Sequence, residues 1–79
     1  MNNFEEVEKT LIKALPDAKV SIDDLGGGNH LRIEVISKEF EGKSLINQHK
    51  MIYNILNNLM ESNGGFIHAL SIKTSTPKN

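Results

Sequence analysis

The chain contains no cysteine and no tryptophan. Without thiols it can form neither a disulfide nor a thiolate metal cage, and it has no sulfur nucleophile. That absence fits a cytoplasmic protein, since disulfides are rare there. An excess of one charge is missing too. Nine Lys and Arg stand against 10 Asp and Glu, a formal net charge of −1, whereas dedicated binders of a phosphate backbone normally carry a clear basic surplus. Aromatics are few, three Phe and one Tyr, and the strands read below carry no exposed aromatic pair on which bases could stack. No apolar run approaches the roughly 20 residues of a membrane-crossing helix. The start of the chain, acidic at Glu5, Glu6 and Glu8, lacks the apolar stretch of a secretory signal.

What is present is a chain of 79 residues, 38% hydrophobic, without repeats or low-complexity tracts. It reads as a single domain over 1–79 with its core at about 3–75. A domain this small buries only about 60% of the surface its unfolded chain exposes, so its core is thin. Phe4, Val7, Leu11 and Leu15 recur at helical spacing and predict a helix over 3–15, which Pro16 cannot continue. Ala18, Val20 and Ile22 alternate over a short strand at 18–23, and Leu31, Ile33 and Val35 alternate over a clearer one at 31–36. With the glycine-rich segment between them they predict an antiparallel hairpin. Phe40 to Lys43 turn the chain, Ser44 is a good N-cap, and a second helix is expected at 45–61. Leu45, His49, Ile52, Leu56 and Leu59 make its apolar stripe, widened by Ile46, Tyr53 and Met60. Asn63, Gly64 and Gly65 stop it, and residues 66–74 read as a last strand. The order α-β-β-α-β implies an α+β fold, a small two-layer sandwich. A strand–helix–strand connection within one sheet is normally parallel, so the sheet should be mixed and three-stranded.

Several motifs have a plain structural reading. Gly26-Gly27-Gly28 shares its composition with phosphate-cradling loops, but those open into a helix, and here a strand follows. A flexible hairpin loop is expected. Asp23 and Asp24 are adjacent and would point to opposite faces of a strand, and no serine sits in a nucleophile motif, so an enzyme is not expected. His49, on the apolar stripe of the second helix, reads as a half-buried structural histidine beside a solvent-facing Lys50. His30 and His68 differ. They stand near the starts of the second and third strands, which brings them to one end of the sheet if those strands run parallel. Neighbouring strands lie about 4.8 Å apart, so two imidazoles there could meet one metal centre, with the remaining ligands supplied by another molecule. The competing reading is two ordinary strand-end histidines. Arg32, Lys43 and Lys50, with Lys38 and Lys73, could gather into a basic surface, against the alternative of scattered solvated side chains.

The stretch 39–53, with Phe40, Gly42, Ser44, His49, Lys50, Ile52 and Tyr53, and the stretch 67–77, with His68, Ala69, Leu70, Ile72, Thr74 and Pro77, resemble the two signature segments of the BolA family. Gly28-Asn29-His30-Leu31 resembles the family's run into its second strand. The resemblance covers about residues 5–77. It implies a fold related to the type II KH domain, and a non-enzymatic role with a monothiol glutaredoxin (active site Cys-Gly-Phe-Ser) as partner. In such pairs a 2Fe–2S cluster is shared between the glutaredoxin cysteine, glutathione and ligands from the BolA protein. The chain alone would hold no cofactor and would be a monomer or weak homodimer. The family's C-terminal ligand histidine corresponds to His68. Its second ligand is a Cys or His in the first hairpin loop. Where some members have Gly-Cys-Gly this chain has only glycines, which leaves His30 as the candidate. A second class of function is also implied, since some BolA proteins are described as transcriptional regulators of stress response or morphology. Lys43, Lys50 and Arg32 would then face DNA. The KH clamp needs a Gly-x-x-Gly loop, and Gly42-Lys43-Ser44-Leu45 lacks its second glycine.

Overall fold

The computed structural model describes residues 3–77. Helix α1 spans Asn3–Ala14, strand β1 Lys19–Gly26, strand β2 His30–Ile36, helix α2 Leu45–Ile55 and strand β3 Ala69–Ser75. The sheet order is β1-β2-β3. β1 and β2 are antiparallel, with Val20 opposite Val35 and Ile22 opposite Ile33. β2 and β3 are parallel, with His30 opposite Ala69 and Ile33 opposite Ile72. The mixed three-stranded sheet expected from the connection rule is therefore the one observed.

Alternation along the strands divides the sheet into two unlike faces. Leu31, Ile33 and Val35 are fully buried and form one core with Val7 and Leu11 of α1 and Ile52 of α2, closed by Leu15, Phe40, Leu56 and Ile67. Both helices thus cover the same side. The opposite face stays open and polar: Arg32 pairs with Asp23 at 3.0 Å, and Lys73 with Glu34 at 3.6 Å.

Asp17, in the link between α1 and β1, holds the link between β2 and α2. It accepts hydrogen bonds from the Ser37 hydroxyl at 2.8 Å and the Lys38 backbone N–H at 2.7 Å. Ser37 is fully buried, and its oxygen also accepts from the Glu39 N–H, starting a 3-10 turn over Lys38–Phe40. That turn drives Phe40 into the core. The Lys38 N–H, then the Ser37 hydroxyl, hold the Asp17 carboxyl below its ordinary value.

α2 starts as expected, with the Ser44 oxygen accepting from the Asn47 N–H at 3.2 Å, but it ends at Ile55, not near 61. Asn54, Asn57 and Asn58 are poor helix formers, and the chain tightens into 3-10 turns at Asn57–Leu59 and Glu61–Asn63. Its first turn also departs from the expected stripe, since Leu45 and Ile46 are 60% and 68% exposed. The contact of this turn with the sheet is polar instead, the Thr74 hydroxyl of β3 donating to Oε1 of Gln48 at 2.6 Å. β3 begins at Ala69, later than expected. Residues 64–67 instead fold back on the end of the helical segment, where Ile67 forms an isolated bridge with Met60. Gly64 adopts φ +89°. A Cβ at Gly65 would run into the Leu59 backbone, so the reversal requires glycine there.

Candidate functional site

Parallel pairing of β2 and β3 sets the site's position. His30 is the first residue of β2, and His68 directly precedes β3. The Asn29 carbonyl, one residue before His30, accepts from the N–H of His68 at 2.8 Å and of Ala69 at 3.2 Å. The two histidines are therefore anchored to each other through main chain. Their rings stack, with centroids 5.1 Å apart and planes inclined by 24°. The sequence places them at one rim of the sheet, and there they are in contact.

His68 has a second neighbour. Its Nδ1 lies 3.1 Å from Oε2 of Glu61, with both side chains more than half exposed. A carboxylate only accepts, so this contact is a hydrogen bond when the proton sits on Nδ1. Glu61 stands at the end of the expected second helix, 45–61, and no motif in the sequence singles it out. Its spacing of seven from His68 matches neither helix nor strand periodicity, and the Asn-Gly-Gly reversal between them was the available signal.

The donor set at this rim is two imidazoles. The chain has no thiolate, and among the described residues no group of three or more His, Asp or Glu side chains could hold a metal ion. Iron–sulfur clusters and zinc sites take about four protein-type ligands. Two imidazoles supply at most two such ligands, so a metal centre held here would need the rest from another molecule.

The hairpin beside the rim is internally satisfied. Asp24 Oδ1 accepts from the Gly26 N–H at 2.8 Å and the Gly28 N–H at 3.1 Å, so those glycine donors point at a carboxylate of their own chain. This agrees with a structural loop and not with a phosphate cradle. The two adjacent aspartates are committed separately, Asp23 to Arg32 and Asp24 to the loop. His49 is half-buried on α2, and its Nε2 is buried without a hydrogen-bond partner.

The candidate nucleic-acid residues do not share a surface. Arg32 lies on the open sheet face, tied to Asp23. Lys43 and Lys50 belong to the exposed start and flank of α2, on the helical side of the sheet. Lys73 shares the open face with Arg32, where it pairs with Glu34.

Comparison with known proteins agrees with this architecture. The family model described as BolA-like protein matches residues 6–79. An uncharacterised protein of Rickettsia prowazekii is 41% identical over 71 residues, covering 89% of this chain and 88% of its own. Protein BOLA2 of Arabidopsis thaliana is 38% identical over 77 residues, covering 94% and 78%. Among solved structures, the BolA domain of SufE1 from Arabidopsis thaliana superposes with a TM-score of 0.82 at 30% identity, covering 98% of this chain and 95% of that one. The mixed sheet, the paired helices on one face and a family match spanning nearly the whole chain together place this protein in the BolA-like family.

Proposed function

We propose that this BolA-like chain is a non-enzymatic, cytoplasmic adaptor that docks onto a monothiol glutaredoxin and takes part in handling 2Fe–2S clusters as cargo. His68 serves as an interface ligand through Nε2, and His30 is its companion. The observation that carries the reading is the stacked His30–His68 pair at an exposed rim, with one ring's Nδ1 already engaged by Glu61. Two nitrogens with no thiol suit a chain whose partner brings the sulfur. Histidine ligation raises a cluster's potential relative to thiolate alone, and a ligand set divided between two proteins couples cluster retention to their association.

The test mixes the protein with a monothiol glutaredoxin, glutathione, iron and sulfide under anaerobic conditions. A heterodimer by size exclusion is expected, with a visible spectrum distinct from that of the glutaredoxin alone. His68→Ala should change that spectrum or speed loss of the cluster, and His30→Ala should do so to a lesser degree. Absence of a complex, together with an unchanged spectrum, would refute the proposal. Regulation of transcription through DNA has no comparable support, because Arg32, Lys43 and Lys50 stand apart.

A further inference from the structure

We propose that Glu61 is a positioning residue for His68. Its carboxylate holds the Nδ1–H tautomer and so leaves Nε2 as the bare donor. The purpose of this arrangement rests on reading His68 as an interface ligand, whereas the tautomer can be measured without that reading.

A solvated histidine favours the proton on Nε2, and in that form Nε2 has no lone pair to give a metal. The hydrogen bond made by one ring nitrogen determines the state of the other. Here the carboxylate oxygen lies 3.1 Å from Nδ1, and main-chain bonds hold both residues. The Glu61 N–H donates to the carbonyl of Ile67, the residue before His68, at 2.8 Å. The His68 N–H donates to the Asn29 carbonyl, also at 2.8 Å. The Met60–Ile67 bridge and the close passage of Gly65 over Leu59 keep the reversal tight. His30 stacks on the ring itself. Two contacts of different kinds therefore fix one imidazole, in its plane by Glu61 and on its face by His30. Carboxylates in this relation to a metal-binding imidazole set its tautomer and orientation and raise its basicity as a ligand.

Long-range ¹H–¹⁵N correlation on the labelled free protein, at a pH where the ring is neutral, reads the tautomer directly. The wild type should show His68 protonated on Nδ1. Glu61→Ala should return it to Nε2–H, and Glu61→Gln, whose amide oxygen still accepts, should retain Nδ1–H. The backbone amide spectrum of each variant reports that the fold is kept. A wild-type ring protonated on Nε2, or a tautomer indifferent to Glu61→Ala, would overturn the proposal. In the mixed glutaredoxin complex, Glu61→Ala should weaken cluster retention about 10- to 100-fold, with Glu61→Gln closer to wild type. Wild-type retention in Glu61→Ala would overturn the link from tautomer to ligation. Failure of the ligand reading would appear separately, as a His68→Ala complex with an unaltered spectrum.

Discussion

Asp17 joins two connections with one carboxylate, and its chemistry sets a pH dependence. The charged form accepts from the Lys38 N–H and the Ser37 hydroxyl, which lowers its folded-state pKa from the ordinary 3.8. A carboxyl with a depressed folded pKa contributes stability that is fully present above the unfolded value and is lost as pH falls through the folded one. Urea midpoints measured from neutral pH down into this acid range should therefore fall. Asp17→Asn should be less stable at neutral pH and should show a shallower acid decline. His49 makes a different case, since its buried Nε2 has no partner. His49→Ala removes the penalty of that unpaired nitrogen but also the packing of a half-buried ring, and on balance should lower stability by about 0.5–3 kcal/mol in chemical denaturation while leaving the visible spectrum of any glutaredoxin complex unchanged. These two residues also differ in how readily sequence exposes them. The half-burial of His49 follows from its place on a helical stripe. The contact between Asp17 and Ser37 crosses 20 positions between two loops, where no periodicity operates.

Among the elements, the strands were more legible than the end of α2. The crossover rule needs only that β2 and β3 share a sheet, and from that the common rim of His30 and His68 follows. The end of α2 depends instead on several weak preferences. Asparagines at 54, 57 and 58 lower helix propensity, yet the apolar spacing of Leu56, Leu59 and Met60 continues past them, so a longer helix is the natural reading. Packing of the returning chain on Leu59 decides otherwise. Gly65→Ala tests this directly, because its Cβ would collide with the Leu59 backbone. Overpacking of this kind costs about 1–3 kcal/mol, and the His68 side-chain resonances should shift along with the stability. At the other end of α2, Ser44→Ala removes the acceptor for the Asn47 N–H and should lower stability by about 1 kcal/mol. Leu45 and Ile46 are exposed despite their place on the apolar stripe for a related reason: helical periodicity gives the face a side chain occupies, not whether another element lies opposite.

For the molecule as a whole, the small core leaves little reserve. Domains gain roughly 0.05–0.15 kcal/mol per residue, or about 4–12 kcal/mol for a chain of this length. Ile33 is fully buried at the centre of the sheet, and Ile33→Ala should remove about 2–5 kcal/mol, a large share of that total. Circular dichroism and thermal melts would record it, and an unchanged melting temperature would contradict the layer arrangement.

The hydrogen bonds from Asn29 to His68 and Ala69 have a kinetic consequence. Because adjacent backbones already fix the separation of the two imidazoles, the partner proposed above would meet a finished surface and need not wait for a loop to order. Capture at this rim is expected to be a single bimolecular step, with an observed stopped-flow rate that rises linearly with partner concentration; a plateau at high concentration would mean that the rim rearranges first.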